Sequence, residues 1–271
     1  MRIFQMLSTI AYGDAVSNDT FAMEKIIKGM GYGTRIYAES IVAPLDKKNA
    51  LNVDELKDVH KDDIIIFHMS TGSRLNFDVA KYDCRKIVVY HNITPPEYFA
   101  KNDSRFTKVC EYGLEGARYL ADKVDYCLAV SAFNKQDLIN MGYKCDIDIL
   151  PVIIPMSDYD KKPDKGVMKE YSDGYTNILF TGRVAPNKKH EDLIASFYYY
   201  NRLYNKKSRL ILAGSFREDD PYYIRLTEYT KKLGLGDAVV FTGHIKFDRI
   251  LAYYRTADVF LCMSEHEGFC V

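Results

Sequence analysis

The feature that most constrains this chain is a repeated switch in the period of its apolar residues. Runs rich in β-branched side chains stand at residues 2–10, 34–38, 63–70, 86–92, 125–131 and 146–154. Several are apolar on both faces, as in IIIF, IVVY and YCLAV, the pattern of parallel strands covered on both sides. Between them lie amphipathic stretches at 20–30, 105–122 and 134–141, the last with Gly142 placed to end a helix. Parallel strands need crossover connections, and this alternation therefore predicts an α/β chain of βαβ units in a doubly wound sheet.

At 271 residues there is room for about two such domains. Residues 155–175, PMSDYDKKPDKGVMKEYSDGY, are polar and lack a sustained apolar period, which reads as a linker. Alternation then resumes, with strands expected at 177–181, 209–213, 238–242 and 258–263 and helices at 190–204, 221–233 and 247–256. The predicted organisation is a first Rossmann-like domain at 1–154, a linker at 155–175 and a second domain at 176–271.

Basic and acidic residues balance at 37 each, which leaves no basic half to hold a nucleic-acid backbone and no polybasic block for anionic lipid. No run approaches the ~18 consecutive apolar residues of a membrane-crossing helix. The start, MRIFQMLSTIAYGD, turns polar too soon for a secretory signal. Six cysteines without a CxxC pair read as reduced thiols of a cytoplasmic protein.

Open α/β sheets bind ligands outside the carboxyl ends of their strands, and the strand-to-helix loops carry the chemistry. The loop at 11–19, AYGDAVSND, reads either as an ordinary turn with an Asp or Ser cap or as a place where Gly13 lets backbone approach an anion at a helix start. His68 and His91 follow buried-type strands and reach one sheet edge, as structural residues or as part of a polar site. In TGRVAPNKKH, Gly182 permits close approach, and Arg183 and Lys188 either form a solvated basic loop or meet a diphosphate. The final SEHEGFCV places carboxylates where sugar hydroxyls could be bound. A zinc site from Cys262, His266 and Cys270 lacks a fourth ligand and is disfavoured. Neither G-x-G-x-x-G, G-x-x-x-x-G-K-[ST] nor G-x-S-x-G occurs.

Taken in order, ILFTGRVAPNKKHEDLI, RLILAGSF, LGLGDAVVFTGHI and ILAYYRTADVFLCMSEHEGFCV resemble the donor domain of glycosyltransferase family 4, the retaining nucleotide-sugar enzymes of GT-B fold. GDAVSND, VVYHNITPPEYF and DYCLAVSAFNKQDL resemble that family's acceptor domain. The resemblance implies two Rossmann-like domains facing a cleft and transfer of a hexose from a GDP- or UDP-linked donor to a glycan or lipid-linked acceptor, in cell-surface polysaccharide or glycoconjugate synthesis. By the same resemblance, Arg183 and Lys188 grip the diphosphate, Glu267 is the first glutamate of the E-x7-E motif and contacts the sugar, and His91 lies near the reaction centre. Gly13, Asp14, Gly182, Gly268 and Phe269 line the donor site, with His244 and Ile245 at the nucleobase. No metal or other cofactor is expected, since basic side chains stand in for it.

The second glutamate of that motif would fall beyond Val271, and the expectation is a chain truncated within its second domain. Apolar surface left uncovered there would favour self-association, and a lipid-linked acceptor would bring the protein to the inner membrane surface. Two other readings stay open at this stage: a nucleotide-sugar 2-epimerase of the same fold, and a nucleotide-sugar-binding fragment without catalysis.

Overall fold

Both predicted sheets are present. In a computed structural model, which describes residues 1–270, the chain divides into two compact units: Met1–Pro155 together with residues 267–270, and Met156–His266.

The first unit runs β1 (Arg2–Ile10), α1 (Ala15–Gly29), β2 (Gly33–Ile41), β3 (Leu51–Asn52), β4 (Ile64–Met69), α2 (Leu75–Asp78), β5 (Arg85–Tyr90), α3 (Ser104–Tyr119), β6 (Tyr126–Ala129), α4 (Ala132–Asn140) and β7 (Ile147–Ile149). Its strands are all parallel, in the order β3-β2-β1-β4-β5-β6-β7. Alternation along each strand sends side chains to opposite faces. Ile3 of β1, Ile66 of β4 and Val89 of β5 pack against Met23 and Ile27 of α1, each fully buried aliphatic side chain contributing about 1.5–3 kcal/mol. At the opposite end of the sheet, Asp63 accepts hydrogen bonds from the Arg2 backbone (2.8 Å), the Arg2 guanidinium (Nη2, 2.6 Å) and the His60 backbone (2.9 Å). The Arg2 guanidinium holds the Asp63 carboxyl well below the usual carboxylate range.

The second unit runs α5 (Lys165–Tyr171), β8 (Thr176–Thr181), α6 (His190–Leu203), β9 (Ser208–Ala213), α7 (Pro221–Lys232), β10 (Val239–Gly243), α8 (Phe247–Thr256) and β11 (Val259–Phe260), with parallel strand order β10-β9-β8-β11. Ile178, Phe180, Leu210 and Leu212 face α6 and α7. Their alternates Leu179, Ile211 and Ala213 face α5 and α8.

Residues 155–175 depart from the expected linker, because seven of them form α5. Asp164 caps that helix, accepting the Val167 N–H at 2.8 Å. Val167 and Tyr171, one turn apart, are buried, and the Tyr171 ring meets Tyr253 edge-on at 5.1 Å. β11 is also shorter than the expected 258–263; it stands at the edge of the sheet beside β8, and its two residues are about half exposed.

Candidate active site

Each sheet has one point where the winding reverses, between β1 and β4 in the first unit and between β8 and β11 in the second. Loops leaving such points at the carboxyl ends form a crevice for ligands. Gly13 and Asp14 after β1, His68 near the end of β4, and Gly182, Arg183 and Lys188 after β8 fall at these points; His91 follows the neighbouring β5, whereas His244 and Ile245 follow β10 at the far edge of the second sheet.

In the first unit, the loop after β1 holds Gly13 at φ +79°, a left-handed conformation that suits glycine. Asp14, expected among the donor-binding residues, is instead taken up as the cap of α1. Its Oδ2 accepts from the Ser17 N–H at 2.9 Å and the Ser17 hydroxyl at 2.8 Å. His68 near the end of β4 and His91 just after β5 do come together, with Nδ1 of His68 3.0 Å from Nε2 of His91 and the rings stacked 5.3 Å apart.

Two further residues complete this cluster without having been singled out in the sequence. Gln5 of β1 places its Oε1 3.0 Å from Nε2 of His68 and donates its amide to the Thr20 carbonyl at 3.2 Å. Asp19 of α1 stands 3.7 Å from Nε2 of His91 and accepts the Ile153 N–H at 2.7 Å. Their signal was a polar residue at a position where the period demands an apolar one. Gln5 interrupts RIFQMLSTI, and Asp19 lies on the buried face of α1. Burial holds His68 well below the usual imidazole value and pushes His91 down to about 4; both are neutral near pH 7. It also raises the Asp19 carboxyl. The ligating atoms of Asp19, His68 and His91 lie within 4.8 Å of one another and could hold an ion, although the hydrogen bond between the two rings already engages both nitrogens concerned.

Residues 267–270 group with this first unit rather than the second. A Cβ on Gly268 would lie 2.6 Å from the His91 carbonyl oxygen and 2.6 Å from the Asn92 Cβ, closer than atoms can approach. Phe269, expected to contact the donor, packs against the apolar cluster that contains Val89 and Val130. Its ring therefore anchors the segment, and Glu267 is held with the His91 loop.

In the second unit, the loop after β8 carries Gly182, exposed Arg183, buried Val184 and Ala185, and a tight turn over Pro186–Lys188 that delivers Lys188 at the start of α6. The loop is pinned to β9 and its continuation by Gly182 N–H to Ala213 O (2.9 Å) and Val184 N–H to Ser215 O (3.0 Å). Gly214 is the residue that sequence reasoning missed here: a Cβ on it would sit 1.9 Å from the Gly182 carbonyl oxygen. Asn187 was missed as well. Buried, it donates to the His266 carbonyl at 3.1 Å and accepts the Glu265 N–H at 3.0 Å, which ties the loop after β8 to the segment after β11. Lys189 pairs with Glu265 at 3.1 Å. His244 is exposed just beyond β10, and Ile245 packs on the α5–α8 side of the sheet.

This arrangement is chemically specific. Arg183 and Lys188 both lie on the loop at the carboxyl end of β8, a pair of cations that suits an anionic ligand with two charged groups. Among the described residues no helix is long and apolar enough to cross a membrane.

The fold is that of the GT-B glycosyltransferases. Sucrose-phosphate synthase from Thermosynechococcus elongatus superposes with a TM-score of 0.71, covering 100% of this chain and 77% of that one at 14% identity. In this chain, residues 168–271 match the family described as Glycosyl transferases group 1. Sequence relatives include the uncharacterized glycosyltransferase MJ1069 of Methanocaldococcus jannaschii, 25% identical over 73% of this chain. Another is the alpha-monoglucosyldiacylglycerol synthase of Streptococcus pneumoniae, 26% identical over 63%. The matched segments span 50% and 38% of those relatives.

Proposed function

We propose that this chain acts in a retaining glycosyltransferase that moves a hexose from a GDP- or UDP-linked donor to a glycan or lipid-linked acceptor. The observation that carries the reading is the loop after β8, where Arg183 and Lys188 stand on a backbone locked by Gly182, Gly214 and Asn187. On this reading the two cations bind the diphosphate and stabilise it as it leaves, an electrostatic contribution made where charge develops. Glu267 accepts hydroxyls of the transferred sugar, and His91 faces the sugar near the bond that breaks. No metal is required, because the basic side chains neutralise the leaving group. The match to a synthase named for a glucosylated diacylglycerol supports a lipid-linked acceptor, which would place the reaction at a membrane surface.

The test is thermal unfolding with UDP, GDP, ADP and their hexose conjugates at millimolar concentration. A ligand at ~100-fold over its dissociation constant stabilises by about 2.7 kcal/mol, a rise of a few degrees that one base should give and the others should not. Loss of that rise in Arg183→Ala supports the assignment. Equal rises with all three bases, or an unchanged rise in Arg183→Ala, would overturn it. Product analysis with the donor so identified then separates transfer from epimerisation at C2.

A further inference from the structure

The cluster beneath His91 determines which of its nitrogens carries a proton, and the chain of donors and acceptors can be followed from one end. It begins at the Thr20 backbone carbonyl, which can only accept. The group 3.2 Å from it must be the Gln5 amide nitrogen, since the opposite orientation would set two carbonyl oxygens against each other. Gln5 therefore turns its Oε1, again only an acceptor, towards Nε2 of His68 at 3.0 Å. His68 must donate from Nε2. A neutral imidazole has one N–H and one lone pair, which leaves Nδ1 of His68 as an acceptor. The nitrogen facing it at 3.0 Å, Nε2 of His91, must then carry the hydrogen. The Asp19 carboxylate, 3.7 Å from that same nitrogen, favours an N–H rather than a lone pair there.

We infer that Gln5 and His68 are positioning residues that fix His91 as its Nε2–H tautomer and thereby present Nδ1 as a lone-pair acceptor. Burial of both rings supports this by keeping them neutral, since a protonated His68 would donate from Nδ1 and invert the order. The consequence for recognition rests on the donor-site reading given above: a sugar hydroxyl opposite His91 has to act as the hydrogen-bond donor. A ligand bearing only an acceptor at that place would be rejected, because it would leave two lone pairs facing each other.

The tautomer can be read without turnover, by long-range proton–nitrogen correlation NMR on the nitrogen-15-labelled full chain at pH 7. The six histidines are assigned by single substitutions. The expected result is that His68 and His91 are both neutral and both protonated at Nε2. A proton on Nδ1 of either would overturn the inference. Gln5→Met removes the acceptor that starts the chain, and His91 is expected to shift to the Nδ1–H form or a mixture; an unchanged His91 would overturn the role of Gln5. Should that variant fail to fold, His68→Asn and His68→Leu form a second comparison. The amide can still accept from His91 and should preserve the Nε2–H form, whereas the leucine should release it, and identical spectra would refute the role of His68. Titration with UDP-glucose and GDP-mannose addresses the donor-site reading separately. A donor that shifts the Arg183 guanidinium signal and the His91 Nδ1 signal supports both. One that moves Arg183 alone removes His91 from the sugar site and refutes the hydroxyl-donor consequence, with the tautomer result standing.

Discussion

His190 gives the sharpest quantitative prediction. It begins α6 with its ring wholly buried, edge-on to Phe180 at 5.2 Å and to Tyr222 at 6.1 Å. Burial lowers its pKa from 6.5 to about 4. Between those values the unfolded chain binds a proton that the folded chain refuses, and stability falls as the pH falls through the window. With an unfolded value of ~6.5, lowering the pH from 7 to 5 should remove about 2 kcal/mol through this one residue. For a urea slope of about 2 kcal/mol per molar, the unfolding midpoint of the second unit should drop by about 1 M.

His68 and His91 act in the same direction in the first unit, whereas Asp19, with a raised carboxyl value, opposes them. The informative quantity is therefore the difference between wild type and His190→Phe, each followed by circular dichroism in urea at both pH values. The phenylalanine keeps the aromatic contacts and the backbone N–H to the Tyr222 hydroxyl at 3.0 Å but cannot titrate. Its midpoint should be less acid-sensitive by about 1 M. Equal acid sensitivity in the two proteins would refute the argument that a buried neutral imidazole is the cause.

Gly214→Ala should destabilise the second unit by about 2 kcal/mol or more, because the new Cβ would meet the Gly182 carbonyl at 1.9 Å; a urea midpoint lower than wild type by about 1 M checks it. Lys188→Ala should weaken nucleotide-diphosphate binding about tenfold or more in calorimetric titration. Asp63→Asn should lower stability by about 1–3 kcal/mol in urea at pH 7, since the carboxylate there accepts from both Arg2 and His60. As the wild-type carboxyl is held well below its usual range, this contribution persists above about pH 4 and disappears only in stronger acid. Gly268→Val should disturb the His91 loop, seen as changed His91 NMR signals, because its Cβ would lie 2.6 Å from the His91 carbonyl oxygen.

The sheets were legible because a parallel strand buried on both faces leaves an unmistakable apolar run, and the helix expected at 247–256 matches α8 as formed. The placement of Arg183 and Lys188 on the loop after β8 was legible for a related reason, since strand ends could be located and the residues after them read off. Less visible were elements whose burial rests on few residues. α5 shows only Val167 and Tyr171 on its buried face, within a segment otherwise rich in Lys and Asp. Gln5, Asp19 and Asn187 were hidden for another reason. A buried polar residue is defined by its partners, and those lie 15 to 134 positions away along the chain. The place of residues 267–270 was equally out of reach, because it depends on what Gly268 fails to collide with in three dimensions.

Asn187 has a consequence for how a ligand would be met. One amide side chain and its backbone carbonyl join the cationic turn to the segment carrying Glu265 and His266. A ligand contacting both would not have to order two independent loops, and less conformational freedom would be lost on binding than a pair of surface loops would demand. The same join makes the two segments mechanically one: a displacement of the turn, by a substitution or by an arriving phosphate, must be felt at Glu265 within a single hydrogen-bond length.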